Sequence, residues 1–161
     1  AMVAEGTPFT GVLYGGLMKT PNGIKVIEFN ARFGDPETEV VLPRLKSDAI
    51  DVFMAVASNE QPAAEWSEGA TLGIVLASKG YPGDYTKGHV IRGVENVESK
   101  VYHMGTAMKD GELVTNGGRV MFVVAEAPTL REAQQKAMED VERIECDNLF
   151  YRNDIVAKAF R

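Results

Sequence analysis

Cysteine occurs once in the 161 residues, as Cys146, and histidine twice, as His89 and His103. One thiol cannot close an internal disulfide, and three such ligands at these positions match no zinc-type spacing. Long apolar runs are also missing. Runs such as Val120 to Ala125 are far short of the roughly 20 residues that span a bilayer, and the N-terminal stretch lacks the basic flank and apolar centre of a signal peptide. Membrane and secreted classes are therefore not expected, and a reducing cytoplasm is the expected compartment. Positive charge is scarce and scattered: 17 Lys and Arg against 23 Asp and Glu give a net charge of -6, with no basic stripe for nucleic acid. An anionic ligand would have to be held by a few local cations, backbone amides or a metal. What is present in ordinary amount is apolar residue, 45% of the chain, enough for a packed core.

The pattern along the chain predicts an α+β protein in two parts. Residues 10–30 read as two strands joined at Pro21-Asn22-Gly23, a hairpin signal. Asp35-Pro36-Glu37 has the chemistry of a helix start, with Pro43 ending that helix early. A second helix follows Ser47 and Asp48, with Ile50, Phe53, Met54 and Ala57 spaced to form one buried face. The polar run at 58–62, with a proline, marks a boundary, so the parts are expected at 1–60 and 61–161. Beyond it the sequence predicts strands at 71–77, 89–92, 101–103 and 119–125, a glycine-rich turn at 80–88 and an Asp110-Gly111 hairpin. The Thr129-x-x-Glu132 capping box opens a helix with Leu130, Ala133, Ala137, Val141 and Ile144 on one face.

Chemistry concentrates after the first hairpin turn. In Lys25 to Arg32, strand alternation puts Glu28 and Asn30 on one face, about 6.8 Å apart along the strand, and Ile27 and Phe29 on the other. A carboxylate and an amide carbonyl are hard oxygen donors suited to magnesium, which completes its shell with water and phosphate. Arg32 would continue that face if the strand continues, as a fork for a carboxylate or phosphate. The same alternation serves equally as the solvated face of a half-buried strand. Gly117-Gly118-Arg119 brings backbone close to an arginine and suits either a phosphate or a bulge. The 80–85 turn, with Tyr81 and Tyr85, lines a cleft or is a plain surface loop. His89, His103 and Cys146 read as ordinary structural contacts.

The run Glu28-Phe29-Asn30-Ala31-Arg32-Phe33-Gly34-Asp35-Pro36-Glu37-Thr38 resembles the metal-binding signature of the phosphoribosylamine-glycine ligases, ATP-grasp enzymes of purine synthesis. Resemblance extends in order through residues 9–14, Leu17-Met18, 45–48, 115–120 and 150–155. The sequence departs from the family's usual pattern at Glu39, Ala49 and Val156, none of them at the metal pair. The resemblance implies the end of an ATP-grasp domain, antiparallel strands with helices, followed by a small mixed C-terminal domain. It implies Glu28 and Asn30 as ligands of magnesium or manganese, Arg32 as a catalytic and substrate-binding residue, and Asp35 and Arg119 as substrate-binding, with Asp35 alternatively a helix cap. The implied substrates are ATP, glycine and phosphoribosylamine. The nucleotide-cradling part of such an enzyme is expected to precede residue 1, with Ala1-Met2 a non-native start, so this chain is expected to be inactive alone. A non-catalytic binding or assembly module that kept the fold is the alternative.

Overall fold

The computed structural model describes residues 2–160; Ala1 and Arg161 lie outside the described residues. The described chain forms two compact units that divide between Ser67 and Glu68. Residues 61–67 stay with the first unit because its backbone needs them. Lys46 N donates to Glu65 O, Ser67 N to Arg44 O, and Arg44 Nη2 to Ser67 O at 2.7 Å, while Leu45 bridges Trp66.

The first unit opens with strands β1 (Tyr14–Thr20) and β2 (Gly23–Asn30), an antiparallel hairpin turned at Pro21-Asn22 as its sequence predicts. Gly16 pairs with Glu28 but Leu17 pairs with Val26, so Ile27 is an extra residue, a bulge. Helix α1 (Thr38–Val41) is a single turn that passes into a 3-10 turn at Pro43, and α2 (Ala49–Ala57) follows. Asp48 caps α2, accepting from the amides of Ile50 at 2.7 Å and Asp51 at 3.3 Å. Two expectations are corrected here. Asp35 does not cap α1: the helix starts at Thr38, and the Gly34 carbonyl closes the preceding turn by accepting from Thr38 N and Oγ1. The expected buried face of α2 is open to solvent, with Ile50 72% exposed. Ile27 and Phe29 are likewise exposed, at 62% each.

The second unit holds the core. Strands β3 (Ala70–Ser78), β4 (Lys100–His103), β7 (Arg119–Ala127) and β8 (Leu149–Phe150) form an antiparallel sheet in the order β4-β7-β3-β8. Strands β5 (Thr106–Lys109) and β6 (Glu112–Thr115) make a separate hairpin around Asp110 and Gly111, both at positive φ. The predicted strand at 89–92 reduces to two isolated bridges, Val90 to Val114 and Arg92 to Glu145. Helix α3 (Leu130–Glu142) begins at the expected capping box and packs Ala133, Ala137 and Val141 against Leu72, Ile74, Val123 and Ala125. Ile144 lies past the helix end but still packs on this core. The unit is α+β, as read from its sequence.

Candidate functional site

The bulge at Ile27 decides what the hairpin presents. Partners across a ladder share a face, so Tyr14, Gly16 and Met18 of β1 align with Asn30, Glu28 and Lys25 of β2. Leu17 and Lys19 align with Val26 and Ile24 on the other side. Strict alternation would have sent Lys25 to the side away from Glu28; the extra residue returns it. Glu28 and Asn30 do lie together, with Asn30 Nδ2 donating to Glu28 Oε1 at 2.9 Å. That contact aligns the pair so that Glu28 brings its second carboxylate oxygen and Asn30 its carbonyl.

The strand ends at Asn30, so Arg32 does not continue its face. Arg32 sits in the bend that follows, where its Nη1 donates to Phe33 O at 2.9 Å. Two residues that sequence reasoning passed over complete this region. Tyr14, paired in register with Asn30, donates its hydroxyl to Glu37 Oε1 at 2.9 Å. That hydrogen bond, with desolvation and the charges of Glu37 and Glu28 adding to it and Arg32 opposing, holds the phenol above its ordinary range. Glu37 can reach back because position 34 is glycine: a Cβ there would meet Glu37 Cδ at 2.8 Å and Cβ at 2.9 Å. The Tyr14 to Glu37 contact crosses 23 residues and has no periodic signature. Asp35 is exposed on this turn between Gly34 and Glu37.

The donor set fits one kind of cation. Two neighbouring hard oxygens at a solvent-facing strand end suit a magnesium or manganese ion that keeps water and phosphate as its other ligands. Among the described residues no group of three or more His, Cys, Asp or Glu side chains could enclose a metal. A closed structural cage of the zinc type is therefore not what these residues offer.

The second unit is a separate case. Arg119 opens β7 directly after Gly117-Gly118, and both glycines are used by packing. Gly117 lies against Gly105, and a Cβ on Gly118 would strike the Tyr81 ring and come within 3.2 Å of Tyr85 Cε1. The carbonyls of Gly117 and Gly118 accept from Ser78 Oγ and Ser78 N, both at 2.8 Å. The ladder shifts here too, Leu76 pairing with Met121 and Ala77 with Arg119, so a bulge does accompany these glycines. His89 contacts Thr86 Oγ1 and His103 contacts Thr106 Oγ1, while Cys146 is half-buried against the core. A cavity of about 260 Å³ lies beside His89, Arg92 and Cys146.

Known proteins resemble this chain in sequence and fold. The pattern of the phosphoribosylglycinamide synthetase C domain matches residues 71–158, more than half of the chain, and that of the same enzyme's ATP-grasp (A) domain matches 1–38. The curated phosphoribosylamine-glycine ligase of Halalkalibacterium halodurans is 55% identical over 161 residues, 99% of this chain and 38% of that protein. That of Pasteurella multocida is 50% identical over 163 residues, 98% of this chain and 38% of that protein. Among solved structures, a phosphoribosylamine-glycine ligase from Thermotoga maritima superposes with a TM-score of 0.82 at 35% identity, over 95% of this chain and 39% of that one. The chain thus spans under two fifths of the length of the relatives it matches, and within that span it belongs to the phosphoribosylglycinamide synthetase family.

Proposed function

We propose that this chain supplies the metal-binding and substrate-carboxylate part of an ATP-dependent ligase. That ligase joins glycine to 5-phosphoribosylamine through a glycyl phosphate, giving glycinamide ribonucleotide, ADP and phosphate. The observation that carries this reading is the Glu28–Asn30 pair, aligned by its own 2.9 Å hydrogen bond at a strand end that runs straight into the Arg32 turn. Glu28 and Asn30 hold magnesium or manganese, and the bound ion supplies neutralisation of charge between nucleotide phosphates. Arg32 presents two parallel N–H groups to the glycine carboxylate and then to the acyl phosphate. Asp35 takes the substrate amine, and Arg119, in the second unit, takes a substrate phosphate. In this reading the first unit is the end of an ATP-grasp domain and the second the C domain, in a cytoplasmic enzyme. The isolated chain does not turn over, since two metal donors without a nucleotide cradle cannot align the γ-phosphate.

The test is a chimaera in which this chain replaces the matching segment of the Halalkalibacterium halodurans ligase, assayed for ADP release that depends on both glycine and phosphoribosylamine. Glu28→Gln should lower turnover by at least about 100-fold and raise the magnesium concentration for half-maximal rate, with the melting temperature little changed. Unaltered turnover and magnesium dependence would make the pair structural. A non-catalytic module would leave the unsubstituted chimaera without turnover.

A further inference from the structure

Tyr14 and Glu37 do something that no part of the proposed chemistry uses. Their hydrogen bond, 2.9 Å long, links the first residue of β1 to the turn that carries Arg32 and Asp35. At its β1 end it lies opposite Asn30, so one side of the link is the metal-binding rung itself. At its other end the turn is closed on itself: Thr38 N donates to the Gly34 carbonyl at 3.1 Å and Val41 N to the Glu37 carbonyl at 3.0 Å. Gly34 is buried and has no room for a Cβ beneath the Glu37 side chain. The strand has ended by then, so between Asn30 and Thr38 no ladder hydrogen bond fixes where the turn sits. This side-chain contact ties the Glu37 carboxylate to the hairpin.

We propose that Tyr14 and Glu37 are positioning residues, a brace that fixes the Arg32–Asp35 turn at a set distance from the Glu28–Asn30 pair. This rests on the ligase reading and deepens it. Nucleotide-metal ligands stand on the strand; groups for the glycine carboxylate and amine stand on the turn. Without the brace the turn is held less closely to the strand, and the carboxylate and the γ-phosphate meet less often at reacting distance. A misplacement of about 1 Å of that kind can cost about 100-fold in rate. The brace needs an acceptor at position 37, not a negative charge. Glutamine there can still accept from the Tyr14 hydroxyl through its amide oxygen, whereas alanine cannot, and phenylalanine at position 14 removes only the donor.

The chimaera described above separates the outcomes. Tyr14→Phe and Glu37→Ala should each raise the KM for glycine by about tenfold and lower kcat, leaving the KM for ATP and the magnesium dependence near normal. The double variant should be no worse than either single one, and Glu37→Gln should recover most of the loss. In the unmodified chain, trypsin should cut the Arg32–Phe33 bond several-fold faster after Tyr14→Phe, a readout independent of catalysis. If Glu37→Gln is as damaging as Glu37→Ala while Tyr14→Phe is harmless, Glu37 acts through its own charge on a ligand and the brace is wrong. Wild-type glycine KM and proteolysis in Tyr14→Phe would overturn it as well. An unsubstituted chimaera without turnover would instead overturn the ligase reading, and this inference with it.

Discussion

Val156 has a φ of 55°, in the left-handed region that favours glycine. A β-branched residue in the left-handed region crowds its Cβ against the backbone at a cost of about 1–2 kcal/mol. Val156 offsets part of this by packing on the core, as Val97 does from an ordinary φ of -79°. Replacing each by glycine should therefore give unequal results in thermal unfolding: Val97→Gly more destabilising than Val156→Gly by about 1–2 kcal/mol. Equal losses would show that position 156 is not strained. Asp140 is the other residue whose environment sets a measurable outcome. Its buried carboxylate accepts from the amides of Glu98 at 3.1 Å and Ser99 at 2.9 Å, and from Arg143 Nη1 at 2.8 Å. Burial alone would push it up; the hydrogen bonds from Ser99 and Glu98 and the Arg143 charge outweigh that and hold it below the ordinary carboxylate value. A depressed folded pKa means its stabilisation is complete above the unfolded value of about 3.9 and is lost as pH falls through the folded one. Asp140→Ala should cost about 3 kcal/mol at neutral pH, by stranding two amides and an arginine, and the loss should shrink in acid. A loss that stays constant from neutral to acidic pH would sever stability from this carboxylate's ionisation.

At the scale of elements, the four-stranded sheet is fitted to its residues tightly enough that a single methyl decides. A Cβ on Gly73 of β3 would clash with the ring tip of Phe122 on β7, which is buried, striking Cε2 and lying 2.9 Å from Cε1. Gly73→Ala should therefore destabilise the second unit by about 1–3 kcal/mol through overpacking, although alanine suits most strands better than glycine. Pairing it with Phe122→Leu should recover part of the loss, and no recovery would mean that the ring is not the obstacle. Elements with a strong local code were legible in the sequence: the hairpin at Asn22-Gly23, the Asp48 cap, the Thr129 to Glu132 capping box, and the apolar run that becomes β7. What was not legible came from events without a period. The bulge at Ile27 carries no residue signature, yet it moves Lys25 to the Glu28 side and aligns Val26 and Ile24 on the other. Asp35-Pro36-Glu37 looks like a helix start, but the Gly34 carbonyl takes the capping task and the helix waits until Thr38. Of the candidate site, alternation alone made readable that Glu28 and Asn30 share a face. Tyr14 and Glu37 were not readable, since a hydrogen bond across 23 residues leaves no mark on local pattern.

For the whole molecule, the unequal sharing of core between the two units governs how the chain should behave in water. Every buried apolar side chain among the described residues lies between Leu72 and Val141, in the second unit. In the first, the one buried residue among those described is Gly34. The side of the hairpin that holds Leu17, Ile24, Val26 and Phe29 is more than half exposed at each, and Ile24 reaches 70%. A two-stranded hairpin with a bare apolar face is marginal by itself, and its two open edges can pair with another copy. The second unit, with a sheet covered by a capped helix and a continuous core, has what independent folding requires. Heating should accordingly give two transitions, the first lost early, and limited proteolysis should remove the first unit while leaving a resistant segment that begins near Glu68. At about 100 µM the whole chain should self-associate, as exposed apolar surface and unpaired edges do in that range. Leu17→Lys with Ile24→Lys should suppress the association, measured by sedimentation, without moving the upper melting transition. A chain that stayed monomeric at that concentration, or lysines that lowered the upper transition, would show that the apolar side of the hairpin is not what drives copies together. The same face would then have to be satisfied within the chain, and the two-transition melt would be replaced by one.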